Sequence, residues 1–547
     1  MPFAEVIMPI LSGAEALAAI LARDGVEFVF GLPGVQIMDA VDAIYRNKSI
    51  RWISTRHEQT AAYMAYGYAL STGKIGVAMV LPGPGALNTT AAVGTAYSAS
   101  APVLVISGQI ETQHLNFHRG VLHELDHQLD IFRYLTKYCS RATSAEDIPD
   151  ILCRALRELK TGRPRPAEIE VPYDLWSKKG EMTFASTERL TPVPPEPADI
   201  KAIIEILTKA KYPVILTGRG AIKAKVSQEV IGLAEKIRAP VLATTEGQGM
   251  IPDTHPFYGG NFTLWQNPIF KKADAVLVIG SRLRASGGTR LNLGLEQRVI
   301  QVDCDSGELG RNHRTDLGIS ADAMLTLNAM IKSLGKPSSS LWQEKEIANL
   351  RAGLRKKLQK AAPLQMSIID TIHKAIGDEG VIVPDVTNIG YWCDIGYPVN
   401  RMYSYVDSSY FATLGFAFPT ALGAKVGNPN RPVVAICGDG GFPYASAELA
   451  MAVQEKINVI TLIFSNNAYG TVTSIQQREF GGRYVGNTLH NPDYIKFSEA
   501  FGAIGMRAEN VTQLGEKLKL ALAAGKPVII EMPVPVMATP WETDLVR

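Results

Sequence analysis

Cysteine is scarce and scattered in this sequence. Cys139, Cys153, Cys304, Cys393 and Cys437 are odd in number and never spaced as CxxC, which argues against a disulfide framework and against a zinc site. A reduced, cytoplasmic protein is expected. A dominant charge is also missing: 55 basic residues stand against 53 acidic ones in 547, and no Lys/Arg block marks a nucleic-acid surface. No run approaches the ~18 apolar residues of a membrane span, so neither nucleic acid nor membrane is an expected partner. The start, MPFAEVIMPILSGAEALAAILARDG, has no basic n-region, and Ser12 with Glu15 reads as a capping box opening an amphipathic helix. A GxGxxG after a first strand, with an acid about 20 residues on, is absent too, which removes an NAD-linked oxidoreductase reading.

What is present is an ordinary apolar fraction, 46%, over a length that suggests about three or four domains. Two stretches read as linkers: proline-rich STERLTPVPPEPADI (186–200) and small, polar SLGKPSSSLWQEKE (333–346). The domains are therefore placed at 1–185, 197–335 and 360–547. Each alternates β-branched runs with helical patterns: VEFVFGLPG, IGVAMVLPGPG and APVLVISGQ in the first, YPVILTGRG, APVLATTEG and DAVLVIGSR in the second, GVIVPDV, RPVVAICGDG and NVITLIFSNN in the third. That alternation predicts an α/β protein of three doubly wound domains with largely parallel sheets. Ligands gather at the carboxyl ends of such strands, where these runs break into glycine, proline or asparagine.

Residues 438–470, GDGGFPYASAELAMAVQEKINVITLIFSNNAYG, contain two such strand ends. VVAICGDG reads as a buried strand ending at Asp439, SAELAMAVQEK as the crossover helix, and NVITLIFSNN as the next parallel strand. A right-handed crossover brings both ends to one edge of the sheet. Asp439, an asparagine amide oxygen and a backbone carbonyl of the second turn then form an incomplete hard-oxygen cage for Mg²⁺, open to phosphate oxygens and water. Gly440 and Gly441 let the backbone approach a diphosphate, and the following helix offers its N-terminus.

This stretch resembles the signature of thiamine-diphosphate (ThDP) enzymes, GDG followed by NN, with Gly438 in its first turn. The resemblance puts Asp439 and Asn467 at the metal-ligand positions and gives the Tyr469 carbonyl as third protein ligand. In ISTRHEQTAAYMAYGYA, Glu58 follows a short strand and opens a helix. It matches the carboxylate that protonates the cofactor pyrimidine in this family. In SSYFATLGFAFPTALGAKVG, Leu414 matches the aliphatic residue that holds ThDP bent, and the Ala412 carbonyl the acceptor of its amino group. Thr387 and Asn388, in DVTNIGYWC, lie where relatives hold the diphosphate. The three domains become, in order, pyrimidine-binding, middle and diphosphate-binding.

Among ThDP enzymes the chain is most similar to acetolactate (acetohydroxyacid) synthase and its relatives, with benzaldehyde lyase and benzoylformate decarboxylase sharing the framework. GLPGVQIMDAV, LPGPGALNTTAAVGTAYSASAPVLVISGQ and LTKYCSRA all look like that group. The resemblance implies a carboligase or lyase acting on 2-oxo acids, aldehydes or 2-hydroxy ketones. It also implies a homodimer or homotetramer with active sites at the dimer interface. Departures fall in the substrate pocket. Thr471 and Ile475 replace the methionine and tryptophan of the synthases, and His123 stands where they have a glutamine. At a neutral imidazole pKa of ~6.5, His123 is the candidate acid/base; His114, His118 and His127 are weaker ones. Val35 lines the site in relatives and keeps it dry. VIGSRLRASGGTR lacks the acidic pair of the synthases, which argues against FAD. A simple 2-oxo acid decarboxylase, a 2-hydroxyacyl-CoA lyase or oxalyl-CoA decarboxylase-like enzyme, and a catalytically silent ThDP-fold binding protein are the alternatives.

Overall fold

The structure, a computed structural model, describes residues 10–262, 267–284, 297–335, 338–543 and 545. The reading of the first nine residues, and of VIGSRLRASGGTR from residue 285 onward, lies outside the described residues. So do residues 336 and 337 of the second linker. The chain divides into two compact units. One holds Met1–Leu190, Ser408–Pro429 and Pro443–Val459; the other holds Thr191–Asp407, Asn430–Phe442 and Ile460–Arg547.

The first unit is built on a six-stranded parallel sheet in the order Arg51–Ser54, Phe28–Gly31, Gly76–Val80, Val103–Gln109, Ala167–Pro172, Tyr138–Arg141. Gly76–Val80 and Val103–Gln109 are buried at every residue, as parallel strands covered on both faces must be. The chain runs from Phe28–Gly31 to one neighbour and then crosses to the other. The turns after Gly31 and Val80 therefore open a crevice at the carboxyl edge. The Ser12–Glu15 capping box forms as expected, with Oγ of Ser12 accepting from Glu15 N and Glu15 Oε2 accepting from Ser12 N.

The helix Glu58–Thr72 of this unit is not amphipathic. Thirteen of its fifteen residues are buried, because alanine, glycine and tyrosine on all sides let neighbours approach all round. Its partner is Ala417–Gly427, where a Cβ on Gly67 would strike the Thr420 carbonyl and one on Gly423 the Met64 carbonyl. Larger residues at either glycine would force the two helices apart.

The second unit holds two parallel sheets. One runs Tyr258–Asn261, Val241–Ala243, Pro213–Thr217, Ala275–Ile279, Arg298–Asp303, Leu317–Ser320; the other runs Val381–Pro384, Val433–Gly438, Ile460–Ser465, Val528–Pro533, Ile504–Arg507. The predicted α/β class with largely parallel sheets is what the chain adopts. All nine β-branched runs named above contain a strand. One local expectation is corrected. SAELAMAVQEK is not a single crossover helix: a 3₁₀ segment, Phe442–Glu448, breaks at Ala445 (φ −131°), and only Leu449–Gln454 is α-helical. No α-helical N-terminus therefore follows Gly441. Pro443 has no N–H to offer there, and the Glu448 side chain is engaged elsewhere. Among the described residues no helix is long and apolar enough to cross a membrane.

Candidate functional site

In the first unit, Glu58 is the first residue of its helix and is 8% exposed. Its Oε2 accepts from Asn88 Nδ2 at 2.9 Å, and Gly85 leaves room beside Oε1. The position favours a carboxylate through the helix macrodipole. A second carboxylate secures the same helix start. Glu448, 1% exposed, accepts from Arg56 N at 2.9 and 3.0 Å and from His57 N at 2.9 Å. Burial pushes its carboxyl above the ordinary range, and its bonds to Arg56, Thr60 and His57 pull it back. The sequence offers no local signal for this pairing, since 390 positions separate the two glutamates.

The crevice turns of this unit are tied together. Gln36, beside exposed Val35, donates to the Leu122 carbonyl at 3.3 Å. A Cβ on Gly83 would come within 2.6 Å of the His123 carbonyl oxygen. His123 itself has φ +66°, and its Nδ1 is buried with no hydrogen-bond partner among the described residues. Below it lies a buried polar network in which Gln128 accepts from Gly83 N at 2.7 Å and donates to Glu170 at 3.0 Å. Glu170 also takes Arg141 and Gln109, while Glu168 takes the Ser107 hydroxyl at 2.6 Å. Burial, then the neighbouring Glu170, holds the Glu168 carboxyl well above its usual range. The three weaker histidine candidates each have a carboxylate partner: His118 with Asp126 at 2.8 Å, His127 with Asp130 at 3.1 Å and His114 with Glu111 at 3.5 Å.

The turn carrying Ala412 and Leu414 also belongs to the first unit. Ala412 is left-handed at φ +51°. The turn is fixed by Thr413 bonding Thr95 at 3.1 Å and by the Phe411 ring lying against Gly94. Leu414 is half-buried.

The second unit brings the two polar strand ends side by side. Asp439 is 3% exposed, and its Oδ2 accepts from Asn466 N at 3.0 Å, Asn467 N at 2.7 Å and Asn491 Nδ2 at 2.8 Å. Three donors on one oxygen fix the carboxylate in place, and all of them fall on Oδ2. The Asn491 amide also donates to Asn467 Oδ1 at 2.9 Å, and Tyr494 donates back to Asn491 at 3.3 Å. Asn467 sits at φ +55°, which turns its side chain into the strand-end cluster. Asn491 is a site residue that sequence reasoning missed. The donor set, one carboxylate oxygen and one amide oxygen already oriented by neighbours, fits a hard cation.

Around this pair the glycines have local reasons. A Cβ on Gly438 would sit 2.8 Å from Thr387 Oγ1, and one on Gly440 2.5 Å from the Tyr469 ring; Gly441 N closes the turn on Gly438 O at 3.1 Å. The Tyr469 carbonyl accepts from both Thr473 N at 2.9 Å and Thr473 Oγ1 at 3.1 Å. Asn388 donates to the Met537 and Ala538 carbonyls at 2.8 and 3.1 Å, and its Oδ1 is buried without a partner among the described residues. Its amide thus grips the C-terminal segment. Thr471 and Ile475 are half-buried on the helix Gly470–Glu479.

A carboxylate clamped at a GDG turn beside an asparagine strand end, in a chain with a glutamate-initiated buried helix, defines the class. The chain belongs to the thiamine pyrophosphate enzyme family. Residues 11–131 match the family's N-terminal TPP binding domain, residues 200–330 its central domain and residues 385–532 its C-terminal TPP binding domain. More particularly, it is similar to an acetolactate synthase large subunit of Buchnera aphidicola, 32% identical over 94% of this chain and 93% of the relative. It is also similar to acetolactate synthase isozyme 3 large subunit of Escherichia coli, 29% identical over 94% and 93%. A probable 2-ketoarginine decarboxylase of Pseudomonas aeruginosa is 30% identical over 95% and 94%.

Proposed function

We propose that this chain is a ThDP- and Mg²⁺-dependent enzyme that forms or cleaves a carbon–carbon bond beside a carbonyl, with 2-oxo acids, aldehydes or 2-hydroxy ketones as substrates. The observation that carries the reading is the Asp439 clamp, in which one amide, that of Asn491, ties the Asp439 carboxylate to Asn467 Oδ1 while the Asn466 and Asn467 N–H groups hold the same carboxylate. The Asp439 carboxylate and Asn467 Oδ1, with the Tyr469 carbonyl as a third protein ligand, would hold Mg²⁺, which would supply positive charge for the cofactor's diphosphate. Thr387 Oγ1 and the Gly438–Gly441 turn receive the diphosphate.

When bound, ThDP supplies a carbon nucleophile and an electron sink for the bond that breaks. The protein's part is positional and protonic. Glu58 holds a proton against the cofactor's pyrimidine nitrogen, with Asn88 fixing its Oε2 and Glu448 fixing the helix start beneath it. Leu414 and the Ala412 carbonyl set the cofactor's conformation. His123, whose Nδ1 is buried without a hydrogen-bond partner among the described residues, exchanges a proton with the substrate oxygen. Val35 excludes water, and Thr471 with Ile475 borders the second substrate. The domains are 1–185 for the pyrimidine, 197–335 in the middle without FAD, and 360–547 for the diphosphate. Glu58 of one protomer serves the diphosphate domain of another in a cytoplasmic homodimer or homotetramer.

The test is a panel of 2-oxo acids and aldehydes offered to metal-stripped protein with and without ThDP and Mg²⁺, following CO₂ and coupled products. Turnover that needs both additions is expected. Equal turnover without them would sink the proposal. The similarity to a probable decarboxylase favours one second reading, release of the aldehyde uncoupled, and the same panel separates it by product.

A further inference from the structure

Thr471, Ile475 and Arg478 are spaced i, i+4 and i+7 on the helix Gly470–Glu479 and so share one face. The structure shows what lies against the two ends of that face. The Thr471 side chain neighbours the Tyr391 phenol, and Arg478 is ion-paired with Glu542 at 2.5 Å. The Tyr391 ring in turn packs on Trp541, with centroids 4.5 Å apart at 58°. Tyr391 and Glu542 thus meet the two ends of the helix face that carries Ile475, and Trp541 packs on the first and precedes the second in the chain. The segment is built to stay there. Thr539 and Glu542 form a reciprocal capping box, Asn388 grips the Met537 and Ala538 carbonyls, and Trp392 Nε1 donates to Ala538 O at 3.0 Å. Trp541 nevertheless keeps 42% of its surface exposed, a large share for an indole held at four neighbouring points.

We infer that Trp541, backed by Tyr391 and held on a segment tied to the helix that carries Ile475, is the apolar wall that selects the second substrate, and that the wall prefers a neutral, apolar aldehyde to a second 2-oxo acid. This rests on the reading of the chain as a carboligase. The charge on the face supports it: Arg478, its cation, is already occupied by Glu542 and by Glu479 at 2.8 Å. A carboxylate arriving here gains no ready partner, whereas an aldehyde with a hydrocarbon or aromatic body covers the exposed indole.

Two readouts test it. The first is kcat/KM for benzaldehyde and for pyruvate as acceptor in wild type, Trp541→Ala and Trp541→Phe, beside donor CO₂ release measured with no acceptor. Trp541→Ala is expected to lower the aldehyde value about tenfold or more, chiefly through KM, and to leave CO₂ release within about twofold. Trp541→Phe should retain most of the preference. The second is independent of turnover: benzaldehyde should quench the fluorescence of the wild-type holoenzyme, which has six tryptophans, and Trp541→Phe should abolish most of that change. Absence of any ThDP-dependent CO₂ release would overturn the carboligase reading but leave the quenching result to judge Trp541. An unchanged aldehyde-to-pyruvate ratio in Trp541→Ala, or unchanged quenching in Trp541→Phe, would overturn the inference.

Discussion

Replacing Asn491 by alanine removes one amide from two bonds at once, 2.8 Å to Asp439 Oδ2 and 2.9 Å to Asn467 Oδ1. A hydrogen bond to a charged oxygen contributes ~1.5–3 kcal/mol and a neutral one about 1 kcal/mol. Asp439 Oδ2 keeps its two backbone donors from Asn466 and Asn467, so the carboxylate stays fixed in position. Asn467 Oδ1 is the oxygen that loses its orienting contact. Loss of such an outer partner lowers metal affinity by about 10–100-fold, equivalent to ~1.4–2.7 kcal/mol. The lower half of that range is expected here because the backbone clamp survives. Isothermal titration of Mg²⁺ into metal-stripped protein holding excess ThDP measures it, with thermal melting as the control for folding. A folded Asn491→Ala protein whose Mg²⁺ affinity stays within twofold of wild type would refute the reasoning.

Other outcomes follow from the same geometry. Asp439→Ala removes the charged ligand of the strand-end pair and should purify without ThDP; retention of stoichiometric cofactor would mean that the GDG turn is only structural. Glu448→Ala orphans the Arg56 and His57 N–H groups at a cost of about 1–3 kcal/mol each, read by urea unfolding, whereas Glu448→Gln, which keeps an acceptor, should recover much of the loss. Glu168 has a raised carboxyl, so its stabilising contribution is complete below the ordinary glutamate range and falls as pH rises through the raised value. Glu168→Gln should flatten the fall in melting temperature that begins above the ordinary glutamate range, and an identical fall would show that Glu168 does not contribute to it.

The nine strands legible in the sequence were apolar runs closed by turn residues, a pattern that local chemistry dictates. Ala167–Pro172 and Val528–Pro533 carry no such clean signal, because Glu168, Glu170 and Glu531 interrupt their apolar character. The structure buries those carboxylates against Ser107, Arg141, Gln109 and Ser465, partners fixed only by the tertiary fold. The Asp439–Asn467 pairing was legible because two parallel strands joined by one crossover must end together. Asn491, Asn88 and Glu448 were not, since each reaches its partner across a loop or from a distant segment with no periodicity to mark it. Gly440 shows the same division: its need for glycine was readable, but the Tyr469 ring that fills the space beside it was not. The crossover helix was misjudged at its start, where residues 446–448 are 3₁₀ and only Leu449–Gln454 is α-helical, because the helical spacing of SAELAMAVQEK carries no sign that the Glu448 side chain turns to cap another helix.

The central claim, that Glu58 drives ThDP chemistry on a carbonyl substrate, is tested most directly by turnover of the best 2-oxo acid in wild type and Glu58→Gln, each shown beforehand to hold ThDP and Mg²⁺. The substitution keeps the shape and the bond to Asn88 but removes the proton-holding carboxyl. Turnover should fall by about 10²-fold or more with cofactor still bound; turnover equal to wild type in the loaded variant would contradict the account.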